Sequence, residues 1–206
     1  MNRRTFLGVL AGTALTVGAG AGGTLAFLRQ EQFGALPEGE ILKRIMASPH
    51  YANGTFHNLV PHPILSDDSS FAGALIRSLA EKRTGTVPPR PIPSLRPDLS
   101  TLNGIGDVII WLGHSSFLVR LGGKTILIDP VFSDHASPVS FSTRAFAGTT
   151  PCSALDMPDI DILLISHDHW DHLDYPTVTA LGSRIKQIVC GLGTGAHFRR
   201  WGFDGN

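Results

Sequence analysis

The chain has 206 residues, 42% of them hydrophobic, and Lys+Arg and Asp+Glu both number 17, so the formal net charge is zero. This balance gives no electrostatic case for nucleic-acid binding, which usually demands a basic surface, and at 42% hydrophobic and 17% charged the chain reads as globular. Two cysteines, Cys152 and Cys190, are too few for a disulfide framework and are expected to be buried free thiols.

At the N-terminus, Arg3 and Arg4 precede an uncharged run from Thr5 to Leu28, closed by Arg29. A short basic start before a mildly apolar run is the layout of an export signal. Adjacent arginines followed by Thr5, Phe6 and Leu7 resemble a twin-arginine signal, with Ala19-Gly20-Ala21 as a small-residue cleavage site. The run is also long enough to span roughly 30 Å of hydrocarbon, although the glycines between Gly8 and Gly23 weaken a helical anchor. Residues 1–30 are therefore expected to be an export signal or anchor. The protein is then periplasmic, or held at the inner membrane by an uncleaved signal.

Residues 31–106 read as a helical and Pro-rich arm. Ile41, Leu42, Ile45 and Met46 recur at helical spacing and predict a helix over 38–47, ending before Pro49. Residues 48–66 mix proline, Asn-Gly and scattered aromatics, which predicts an irregular segment. Its histidines, His50, His57 and His62, are too widely spaced for a compact ligand set and suit surface or packing roles. A second helix is predicted over 70–82. The stretch 86–97, with five prolines, predicts an extended spacer.

The texture changes after Asp107. Residues 107–113 and 115–121 read as strands, Gly122-Gly123 as a hairpin turn and 124–130 as the returning strand. A loop rich in glycine, serine and proline runs from Val131 to about Pro158. Residues 159–166 are almost continuously apolar, which predicts a strand buried on both faces. A helix over 175–184 with Pro176 in its first turn, a strand over 186–191 and a helix over 194–202 complete the chain. Sheet with helices laid on it argues an α/β layered domain over 107–206.

The chemistry sits where the buried strand ends. Residues 166–174, SHDHWDHLD, hold three histidines and three aspartates. His167 and His169 are two apart, so in an extended segment both project to one side and can close on one metal ion. Asp171 and His172 follow as the chain turns and suit a second ion. Imidazole nitrogen with carboxylate oxygen favours zinc and remains compatible with iron or manganese. Two ions about 3.5–4 Å apart can share and activate a water. The plainer alternative is a solvated loop that happens to be rich in His and Asp.

His-x-His-x-Asp-His after a hydrophobic strand resembles the signature of the metallo-β-lactamase superfamily. Residues 111–138, 151–175 and 198–203, with the lead-in 48–58, look like the branch containing N-acylphosphatidylethanolamine-hydrolysing phospholipase D. The resemblance implies an αββα sandwich, of which this chain supplies the N-terminal half. It implies that His167 and His169 ligate the first metal and that Asp171 and His172 ligate the second, with Asp171 also holding the nucleophilic water. It implies that Asp129 stands behind the ligands and orients their loop, a role compatible with capping the turn at Pro130. His114 corresponds to a residue near the site rim, either a substrate contact or simply a hairpin-turn histidine. Trp170 is expected to shield the site or to contact an apolar part of the substrate.

The superfamily site also expects a further histidine, a bridging aspartate and a late histidine. After His172 the chain offers only His197, Asp174 and Asp204, and the resemblance puts His197 on an outer helix. The expectation is therefore an exported binuclear hydrolase acting on a phosphodiester, phospholipase D-like, truncated and inactive by itself. The alternatives are a hydrolase of a lactone, β-lactam or phosphorylated metabolite, or a non-catalytic metal-binding remnant at a membrane. A small molecule or phospholipid is the expected partner, and half a sandwich would leave an apolar sheet face uncovered.

Overall fold

The computed structural model describes residues 21–60, 70–81, 84–102, 104 and 106–203. Most of the expected export signal, together with His62 and Asp204, lies outside these residues. Among the described residues no helix is long and apolar enough to cross a membrane.

Five strands form one sheet in chain order: β3 (Val108–Gly113), β4 (Ser116–Leu121), β5 (Lys124–Ile128), β6 (Ile162–Ile165) and β7 (Ile188–Cys190). The first three pair antiparallel, and β5–β6–β7 pair parallel. The sequence dictates the switch. Gly122 and Gly123, with φ of 56° and 77°, close a two-residue hairpin, whereas the longer segments after Ile128 and Ile165 permit the crossovers that parallel pairing needs. The last crossover carries helix α4 (Tyr175–Leu181), with Pro176 in its first turn. The final helix α5 spans Gly195–Arg200.

One face of the sheet is closed. Leu112, Leu118, Leu127, Leu163 and Ile165 pack with Val178 and Leu181 of α4 and Phe198 of α5 in a single buried cluster. Leu99 and Leu102 of the arm join that cluster. The other face is apolar from edge to edge. Ile109 and Trp111 on β3 stand beside Val119 and Phe117, these beside Ile126 and Ile128, and these beside Ile162 and Leu164. None of these residues is buried, and Ile109 and Trp111 are 70% and 66% exposed. The expectation that 159–166 is buried on both faces is therefore corrected. Leu163 and Ile165 are buried, while Ile162 and Leu164 lie on the open face. The run is apolar on both sides, but among the described residues only one side is covered.

The predicted helices appear with frayed limits: α2 at Gly39–Met46 and α3 at Phe71–Ala80, preceded by α1 (Ala21–Leu28). Ser70 caps α3, accepting from Gly73 N–H at 3.0 Å, yet α3 buries none of its residues. The segment expected to be irregular contains a small hairpin, β1 (Tyr51–Ala52) and β2 (Thr55–Phe56). It turns at Asn53-Gly54, both at positive φ. The 175–184 helix tightens into a 3-10 turn from Gly182. In the long loop, Ser153 and Asp156 form a capping box on a 3-10 turn, to which Arg96 adds an ion pair. Both cysteines are free. Cys152 is buried as expected, while Cys190 is only half-buried because its strand lies near the end of the sheet.

Candidate metal centre

The histidine cluster leaves the carboxyl end of β6, where sheets with parallel strands gather their ligand sites. Asp129, immediately after β5, shapes it. Its backbone N–H continues the parallel ladder by donating to Leu164 O at 3.0 Å, and its φ of 41° then turns the chain sharply. The carboxylate is buried. It accepts from Ser166 N–H at 2.8 Å and from Ser166 Oγ at 2.6 Å, and His172 Nδ1 lies 2.9 Å away. One carboxylate thus pins both ends of the ligand loop. Ser116 secures Asp129 in turn, its Oγ donating to Asp129 O at 2.8 Å and accepting from Val131 N–H at 3.0 Å. Within the loop, the N–H groups of His172 and Leu173 both donate to His169 O, at 3.1 and 2.8 Å, and the fully buried Leu173 anchors the turn in the core.

The rings of the three expected histidine ligands lie side by side, while of the four expected ligands only Asp171 and His172 fall in a group with ligand atoms within 4.8 Å among the described residues. The ring centroids of His167 and His169 are 4.4 Å apart, and those of His167 and His172 are 4.0 Å apart. His172 Nε2 lies 3.8 Å from Asp171 Oδ2. That group takes its third member, His114, from the β3–β4 turn and leaves out His167 and His169. His114 Nε2 is 3.0 Å from Asp171 Oδ2, and ligand atoms of His114, Asp171 and His172 all lie within 4.8 Å of one another. Ligand bonds of about 2.0–2.2 Å fit inside such a triangle. Because His172 Nδ1 faces Asp129, its Nε2 lone pair is left for a cation. Burial lowers the pKa of His167, assisted by His172, and burial likewise lowers that of His169. Burial alone would raise the Asp171 carboxyl, but its own backbone N–H, His172 and His114 together hold it below the usual value. Neutral imidazoles beside an ionised carboxylate are the protonation states that metal binding requires.

Trp170 does not stand open at the centre. It is buried, with Phe33 edge-on at 5.6 Å between ring centroids. Phe33 belongs to a strap, residues 29–35, laid across the cluster loop and α5. Tyr175 Oη donates to Glu31 Oε2 at 2.8 Å, Trp201 Nε1 donates to Glu31 O at 2.7 Å, and Arg200 donates to Arg29 O. His197 lies on α5, outside the centre as expected. Its Nδ1 accepts from Ala35 N–H at 3.2 Å, and its Nε2 faces Asp168 Oδ2 at 3.6 Å. Asp174 is buried and also stands apart. It accepts from Ser133 Oγ at 2.7 Å and from Thr177 Oγ1, and burial raises its pKa. Among the described residues, therefore, nothing after His172 adds a ligand to the cluster. Ser166 and the strap were not singled out from sequence. A lone serine before the first histidine and a lone phenylalanine far upstream carry no periodic or motif signal.

Residues 108–200 match the family described as the beta-lactamase superfamily domain. Over 156 residues the chain is 35% identical to an uncharacterized protein of Mycobacterium tuberculosis, covering 75% of this chain and 42% of that protein. It is 43% identical over 82 residues to an N-acyl-phosphatidylethanolamine-hydrolyzing phospholipase D 1 of Caenorhabditis elegans, covering 38% of this chain and 23% of that one. A UPF0173 metal-dependent hydrolase of Caldivirga maquilingensis is 41% identical over 63 residues, 31% of this chain and 22% of that one. A solved diiron β-hydroxylase from Streptomyces venezuelae aligns at 30% identity with a TM-score of 0.35, covering 48% of this chain and 19% of that one. The chain thus spans less than half the length of the curated relatives it matches. Over residues 108–200, its sheet and ligand loop, the chain matches the beta-lactamase superfamily domain, and this match together with the metal-dependent hydrolase relatives supports a metallo-β-lactamase-fold metallohydrolase.

Proposed function

We propose that the chain carries the metal centre of a hydrolase acting on a phosphodiester, with an N-acylated phospholipid as the first candidate substrate, and that it is exported by the Arg3-Arg4 signal to the periplasm or inner membrane. The observation that carries the hydrolase reading is the convergence of His114, Asp171 and His172 within 4.8 Å, backed by the buried Asp129. His167 and His169 would hold one ion, and Asp171 and His172 the other, with His114 beside Asp171. The donor set suits zinc and is equally compatible with iron or manganese. Bound metal would polarise a phosphoryl oxygen and make water acidic enough to react near neutral pH.

The protein's own part is positional. Asp129 fixes the His172 tautomer. Asp171 presents an ionised carboxylate that can accept a proton from the attacking water. Trp170 and Phe33 keep bulk solvent from the back of the loop. The test is release of product from N-acylphosphatidylethanolamine and from bis(4-nitrophenyl) phosphate by the chain supplied with zinc, iron or manganese. Supplied alone, the chain is expected to be inactive; turnover that appears when the C-terminal half of the Mycobacterium tuberculosis relative is added, and that chelation and Asp171→Asn abolish, is the expected result. A metal-loaded, complemented chain that turns over neither phosphodiester contradicts the reading. It would favour a non-catalytic metal-binding unit, for which the absence of further ligands among the described residues after His172 speaks.

A further inference from the structure

We propose that the cavity between the β3–β4 turn and the 131–150 loop seats the anionic end of the substrate, and that Arg144 is its charge-selecting residue. The inference rests on the hydrolytic reading of the metal centre and names the chemistry recognised beside it. The cavity has a volume of about 330 Å³ and shares His114 and Asp171 with the metal centre. This is the low end of the range for small-molecule sites. It suits an ionic group with a short apolar extension rather than a whole lipid. Arg144 is the one Lys or Arg in the lining, and Val131, Ala136 and Phe146 are among its apolar members. Among the described residues Arg144 forms no ion pair and no side-chain hydrogen bond. Asp171, the one carboxylate in the lining, is committed to the cation side of the site.

The walls are built in advance. Ala136 N–H donates to Thr143 O at 3.0 Å and Ala145 N–H to Asp134 O at 2.8 Å, which folds the loop into a hairpin. Ile92 N–H, from the Pro-rich stretch, donates to Ala147 O at 2.8 Å, and Phe132 N–H donates to Thr177 Oγ1 at 2.9 Å. Gly113 closes the turn onto the loop. A Cβ there would stand 2.2 Å from Thr149 O, and its φ is 109°. Thr143, just before Arg144, holds a φ of 52°, a conformation that a non-glycine residue keeps only where its surroundings impose it. A planar guanidinium carried on such a loop matches the two non-bridging oxygens of a phosphodiester in bidentate fashion.

The experiment is calorimetric titration of the full chain, with zinc present, by dimethyl, dibutyl and tributyl phosphate, in the wild type, R144A, R144K and F146A. R144A is expected to bind dibutyl phosphate about tenfold or more weakly, the loss of one charge-assisted contact, with partial recovery in R144K. Neutral tributyl phosphate is expected to be insensitive to the change. F146A is expected to weaken dibutyl but not dimethyl phosphate. Zinc content is read on the same samples and is expected to be equal in the wild type and R144A. Equal dibutyl phosphate affinity in R144A and wild type, or no binding by the wild type, overturns the proposal while leaving a zinc-binding centre standing. Arg144-dependent binding by a chain that takes up no zinc keeps the anion site and sinks the hydrolytic reading.

Discussion

The buried carboxylate of Asp129 lies 2.9 Å from His172 Nδ1 and accepts two hydrogen bonds from Ser166 at the other end of the ligand loop. The geometry of the centre therefore depends on a residue that is itself no ligand. Asp129→Asn replaces an acceptor-only group with one that must also place two N–H donors. Metal affinity is expected to fall about 10–100-fold, with about 1–3 kcal/mol of stability lost as Ser166 and His172 lose their partner. Chelator competition and urea unfolding measure the two effects separately.

His114 is expected to contribute to the metal centre through its contact with Asp171. His114→Asn preserves a side chain that tolerates the φ of 42° at this turn but removes the imidazole. A weaker affinity for the most loosely held metal, with unchanged thermal stability, is the expected outcome of a metal titration and a melt. Unchanged affinity would make His114 a turn residue only.

The strap over the loop gives a steric prediction. At Gly34, φ is 66° and a Cβ would lie 1.9 Å from His197 Nδ1. Gly34→Ala must displace the strap or the buried imidazole, at an expected cost of about 2–3 kcal/mol. At Gly39, φ is 55° with nothing near the site of a Cβ. Gly39→Ala should therefore cost only the backbone strain of about 1 kcal/mol. Comparing the two variants by denaturant unfolding separates the clash from the strain.

The Ser153–Asp156 capping box gives a pH prediction. Ser153 N–H, then Arg96 and the Ser153 hydroxyl, lower the Asp156 pKa from its ordinary 3.8 to about 2. A depressed carboxylate stabilises the folded chain above its unfolded pKa. That contribution is lost as pH falls from about 3.8 through about 2. Asp156→Asn should flatten the acid side of the stability profile in this window and leave the neutral side parallel to that of the wild type. Acid titrations of both proteins, followed by circular dichroism, provide the comparison.

Much of this was legible from local pattern. The Gly122-Gly123 hairpin, the strand ending at Ile165 and the helix opening at Pro176 follow from period, turn chemistry and capping. The candidate ligand loop was legible because four side chains of metal-ligating type share six positions. What pattern could not supply was long-range contact. The apolar run 159–166 reads the same whether one face or both are covered, so the open face carrying Ile162 and Leu164 appears only in three dimensions. Phe33 meets Trp170, and His114 meets Asp171, across separations of chain that leave no periodic trace. Trp170 was legible as part of the cluster, but its inward packing on Phe33 was not.

The most direct test of the account is metal content. Elemental analysis of the purified full chain is run beside His167→Ala/His169→Ala and Asp171→Asn/His172→Ala double variants. The account predicts about two equivalents of a transition metal in the wild type, with each double variant losing about one. Less than about half an equivalent in a folded wild-type chain, or metal retained in full by both variants, would contradict it.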